Sequence, residues 1–84
     1  MEYYKSSTGG VDKVYAADNT TGKLTIILDY KGLGMYNVLN QRLSIDTPLS
    51  GKSDYDIYIS TLDVAIKSDF TEYINLTKTF LNTL

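Results

Sequence analysis

From Ser53 to Leu84 the apolar residues recur at helical spacing. Tyr55, Ile59, Leu62 and Ile66 share one stripe, in steps of four, three and four. Phe70, Tyr73, Ile74, Thr77, Phe80, Leu81 and Leu84 share another. Two stripes parted at Ser68-Asp69 predict a pair of amphipathic helices. Ser53 is placed to cap the first, with Asp56 three residues on. Asp69-Phe70-Thr71-Glu72 resembles a capping box and marks a second start. Residues 54–60 also alternate like a strand, with Tyr55, Ile57 and Ile59 on one side. Helix is preferred over 56–67 because Leu62 and Ile66 continue the 3.6-residue period.

The first half reads differently. Val11 to Ala17 and Lys23 to Tyr30 alternate as a strand pair. Asp18-Asn19-Thr20-Thr21-Gly22 supplies the turn residues between them. Leu24, Ile26 and Leu28 share one side, and Ile27 adds an apolar group to the other, which implies cover on both faces. Met35 to Leu43 fits a short helix through Met35, Val38, Leu39 and Leu43. It also fits a hairpin around Asn40-Gln41, but the favoured two-residue turn wants Gly second. Helix is the preferred reading there. Residues 1–10, ending in Ser-Ser-Thr-Gly-Gly, read as a flexible arm or a frayed edge from which Tyr3 and Tyr4 can still tuck against the domain. Residues 44–52 hold the only proline, Pro48, and read as a loop. The expected fold is α+β in a single domain over 11–84: a small antiparallel sheet, then two C-terminal helices packed on one face.

Composition narrows the chemistry. The chain has neither His nor Cys, so the commonest general base, the thiolate nucleophile and the usual zinc ligands are missing. Gly32-Leu33-Gly34 begins like a dinucleotide loop, but Asn37 stands where the third glycine belongs. No enzyme activity, cofactor or metal is expected. Net charge is −2, and residues 53–84 hold five acids against Lys67 and Lys78. An acidic half and a single arginine argue against nucleic acid as partner. No run of about 18 apolar residues occurs, so no membrane span is expected. The start Met1-Glu2-Tyr3-Tyr4-Lys5 lacks a secretory pattern, which points to the cytoplasm. The wealth of Lys, Asn, Ile and Tyr is what an AT-rich genome gives, as in low-GC bacteria and their phages.

Asp54 and Asp56 are paired carboxylates whose simplest role is to face the positive end of a helix. Eight tyrosines offer interface-forming side chains. Ile57 and Val64, seven residues apart, lie on a helix opposite the Tyr55–Ile66 stripe. A surface helix has no use for two apolar faces. Either the helix is sandwiched or these residues meet a partner, with Tyr58, Asp56 and Asp63 beside them.

Leu62-Asp63-Val64-Ala65-Ile66 followed by Asp69-Phe70 resembles the short IDEAL motif at the C-terminus of small Firmicute proteins. Asp63 and Ala65 match its letters, and Val64 stands where the motif has Glu. The resemblance implies a helical element of interaction type and transfers no site. The expected function is a small protein-binding module, a phage or mobile-element inhibitor of a host defence protein, with anti-CRISPR proteins as one such class. The alternative is a structural or self-assembling subunit, which implies a homo-oligomer.

Overall fold

The computed structural model describes residues 1–49 and 51–84. Four long strands run in sequence: β1 (Glu2–Thr8), β2 (Val11–Ala17), β3 (Lys23–Tyr30) and β4 (Met35–Arg42). A short helix α1 (Asp54–Ile59), a two-residue strand β5 (Asp63–Val64) and a long helix α2 (Lys67–Asn82) follow. The sheet is antiparallel throughout, in the order β4-β3-β2-β1-β5. Consecutive hairpins build β1 to β4. Gly9 and Gly10 both sit at positive φ, 60° and 79°, as a tight β1–β2 turn requires.

The expected arm at 1–10 is instead a strand, paired with β2 from Glu2↔Ala17 to Thr8↔Val11. Its polar composition misled because it carries tyrosines to both faces. Tyr4 packs with one core and Tyr3 with the other. β2 and β3 fall on the expected spans. Asp18 holds the turn between them, accepting from the Thr20 amide at 2.9 Å.

Met35 to Arg42 is one continuous strand, neither helix nor hairpin. It pairs with β3 over its whole length, from Tyr30↔Met35 to Lys23↔Arg42. The i, i+3, i+4 spacing of Met35, Val38 and Leu39 imitates a helix. Pairing along β3 outweighs that local preference.

Both sheet faces are covered, as Ile26 and Ile27 imply. Tyr15, Ala17, Leu24, Ile26 and Leu28 form one core with Tyr55 of α1. Val14, Ala16 and Ile27 form the other with Phe70 of α2. The two helices therefore pack on opposite faces, which corrects the expected one-sided hairpin. Only α2 is long. Helix α1 stops at Ile59 because the Ser60 and Thr61 hydroxyls bond the carbonyls of Ile57 and Tyr58, at 2.6 and 2.7 Å. Leu62 then turns in toward the first core, and β5 pairs with β1.

Helix α2 begins two residues before the expected start. Asp69 occupies its third position and its carboxylate accepts from the Ile66 amide at 3.3 Å. The helix crosses the sheet diagonally. Phe70 meets Tyr3 of β1 at 5.8 Å between ring centroids, and Phe80 meets Tyr36 of β4 at 6.0 Å. A rise of about 1.5 Å per residue carries the helix across in that interval. Leu81 and Leu84 lie beyond, 57% and 84% exposed.

Candidate functional site

The candidate surface lies where α1 and β5 close one end of the sheet. Helix α1 is held by side-chain contacts and by its Tyr55 amide, which donates to the Ser44 carbonyl at 3.0 Å. The Ser53 hydroxyl, itself buried, accepts from the Asp56 amide at 3.1 Å, the cap that the sequence implies. Tyr55 donates to the Glu2 carboxylate at 3.1 Å, and Tyr4 donates to its other oxygen at 2.9 Å. Tyr58 stacks edge-on against Tyr15 at 6.2 Å. Glu2 thus ties β1 to α1 through the Tyr55 phenol, while Tyr4 of its own strand holds the carboxylate in place.

Those phenols are perturbed accordingly. Burial, helped by the adjoining Glu2 carboxylate, pushes the Tyr4 hydroxyl up to about 12. The same causes push Tyr55 up further. Both stay protonated and donating at any physiological pH.

The five residues singled out in the sequence divide between two elements. Asp56, Ile57 and Tyr58 lie on α1, and Asp63 and Val64 form β5. Ile57 and Val64 therefore do not stack on one helix. Neither is sandwiched: Ile57 is 54% exposed and Val64 78%. Asp56 is exposed next to Ile57, Asp63 is exposed but turned to the opposite sheet face from Val64, and Tyr58 is half-buried against the core. Val64 lies opposite Tyr4 in the ladder, so it shares the face that carries α1. Ile66, just before α2, adds a third exposed apolar side chain. Residues 62–66, which resemble the IDEAL motif, hold a bend at Leu62 and β5. The helix that the resemblance implies starts after them.

Asp63 lies opposite Lys5. On that second face a depression of about 300 Å³ opens between β1, β2 and the start of α2. Asp12, Asp63, Asp69 and Glu72 line it together with Lys5 and Lys13. The Ser7 hydroxyl and the Lys31 ammonium hold the Asp12 carboxyl below the usual carboxylate range. Lys31 pairs with Asp12 at 3.1 Å. Among the described residues every buried polar side-chain atom has a partner.

Asp54 and Asp56 occupy the first turn of α1, as expected for acids facing its positive end. Among the described residues no three acids are grouped to hold a metal ion, and no helix is long and apolar enough to cross a membrane. The sequence reading passed over the far edge of the sheet, β4. Its signal was present: no charged residue occurs from Gly32 to Gln41. Comparison with protein-family models, curated proteins and solved structures gives no match to this chain.

Proposed function

We propose that the protein is a non-enzymatic binding module that inhibits a host protein, as phage and mobile-element inhibitors of bacterial defence do. The observation that supports this reading is the exposure of Ile57 and Val64 outside both cores, with Asp56 exposed next to Ile57. An exposed apolar side chain next to a carboxylate suits a partner that offers an apolar pocket with a Lys or Arg at its edge. The absence of His and Cys, and the net charge of −2, favour binding over catalysis or nucleic-acid recognition.

The test is a phage-plating assay in bacteria armed with a nuclease-based defence. The intact chain restores plating. Ile57→Ser combined with Val64→Ser abolishes the effect while the purified variant melts at the same temperature. A double variant that protects as well as the parent removes this surface from the function. A parent chain that restores plating against none of a panel of defences removes the inhibitor reading.

A further inference from the structure

The strongest unexplained feature is the free edge of β4. Sheets usually protect an edge with charge, proline, a bulge or a short strand. The β5 edge follows that rule, being two residues long. β4 does not. It pairs without interruption for eight residues, and Arg42 at its end is its only charge. Across the ladder the Leu43 amide bonds the Gly22 carbonyl at 2.9 Å. Antiparallel alternation then turns the amides of Tyr36, Val38, Asn40 and Arg42 outward. One of these is occupied: the Val38 amide donates to the Asn37 side chain at 2.9 Å, an exposed local bond that a neighbouring strand can replace. Met35, Val38 and Leu39 on the same strand are 47, 43 and 46% exposed.

We infer that β4 pairs with β4 of a second copy, antiparallel about a two-fold axis, to make one continuous sheet. Charge selects a second copy over an unrelated strand. Lys23 and Arg42 are direct cross-strand neighbours, two cations side by side, and neither has an ion-pair partner among the described residues. They project on the face that carries α2, at the end of β4 remote from Tyr36. Helix α2 passes over Tyr36 and presents its negatively polarised end beyond β4, with no basic residue in its last turn. Pairing outward amides with outward amides sets Tyr36 of one copy beside Asn40 or Arg42 of the other. The overhanging helix end of each copy then covers the Lys23–Arg42 pair of its neighbour. Leu81 and Leu84 gain cover in the same step. The two-fold axis makes each of these contacts twice, so the surface is self-complementary.

Sedimentation at about 100 μM, a concentration at which interfaces of micromolar affinity are largely filled, tests the assignment. The parent chain should sediment at twice the 9.4 kDa monomer mass. Leu39→Lys, which sets a charge in the middle of the seam, should give a folded monomer. Arg42→Glu should weaken the dimer at least tenfold while leaving the fold intact, because the new carboxylate faces Lys23 within its own chain. Asn37→Ala, which frees the Val38 amide, should tighten it several-fold. A monomeric parent at this concentration overturns the proposal. So does a dimer that survives both Leu39→Lys and Arg42→Glu. Retention of the dimer by the Ile57→Ser, Val64→Ser variant shows that the association does not run through the α1–β5 surface; its loss there overturns the assignment to β4.

Discussion

The two edges of this sheet offer opposite things. At β5 the ladder is two residues long, and what faces outward is side chain: Val64, with Ile57 and Ile66 on the flanking segments. At β4 the ladder is eight residues long, and what faces outward is largely backbone. A short edge with projecting apolar groups recognises a partner by shape and pocket. A long neutral edge recognises another strand, with less regard to its side chains. On the two proposals above, one small domain would hold two association surfaces with different selectivity.

The anchors beneath the two ends differ as well, and mutation separates them. Phe70 fastens the β5 end, 8% exposed between Tyr3 and the Val14–Ile27 core. Phe70→Ala should cost about 3–5 kcal/mol, as deletion of buried aromatic bulk does. That is a large part of the 5–15 kcal/mol usual for a domain. Circular dichroism should show a largely unfolded chain at room temperature. An unchanged melt would mean that α2 is not docked as described.

Gly22 fastens the β4 end. It holds φ at 77°, and a Cβ there would run into the Leu43 backbone carbonyl. Gly22→Ala should cost about 2–4 kcal/mol, from the left-handed conformation and the displaced Leu43 together. Hydrogen exchange should locate the loss, with β4 amides exchanging faster than those of β1. Uniform acceleration across the sheet would show that the two ends are not separable.

A pH titration probes the β5 end more gently. Tyr4 and Tyr55 have folded-state values above their ordinary value near 10. Above pH 10 the unfolded chain releases protons that the folded chain keeps, so stability falls as pH rises. Melting temperature should be insensitive to these groups below pH 10 and decline between pH 10 and 12. Tyr4→Phe should flatten part of that decline. An identical decline in Tyr4→Phe and the parent would clear the Glu2 linkage of any part in it.

The smallest effect is expected at the start of α1. Asp54 and Asp56 are exposed and face the helix N-terminus. Changing both to Asn should shift stability by under about 1 kcal/mol. Urea unfolding would detect a larger loss, which would give these acids a role beyond the helix end.

Much of this arrangement is legible in the sequence wherever one residue's environment is set by its near neighbours. The alternation in Lys23 to Tyr30 forecast the strand and its burial on both faces. The Phe70–Phe80 stripe forecast α2, and Ser53 forecast the cap of α1. The misreadings share a physical cause. β1, β4 and β5 owe their strands to pairing, with a sequence neighbour for β1 and β4 and a distant strand for β5, which no period within the segment records. Tyr4 pairs with Val64, sixty residues away. β4 shows no alternation of polar and apolar positions because neither of its faces is fully covered. Ile57 and Val64 stood out because no stripe had room for them; in the structure they lie on separate elements, α1 and β5, and both are exposed.

The order of the strands also sets an order of assembly. β1 to β4 form a meander of hairpins joined by short turns, so each strand adds to its predecessor at small cost in chain entropy. β5 and the Glu2–Tyr55 bond instead close loops of more than fifty residues. Before they close, the meander has both faces bare, with Leu24, Ile26 and Ile27 in the open and two long free edges. The early folding species is thus the one most exposed to other chains. The six residues of α1 and the sixteen of α2 cover the two faces when they dock. The helices therefore act on the kinetics of escape from aggregation as much as on the energy of the finished domain.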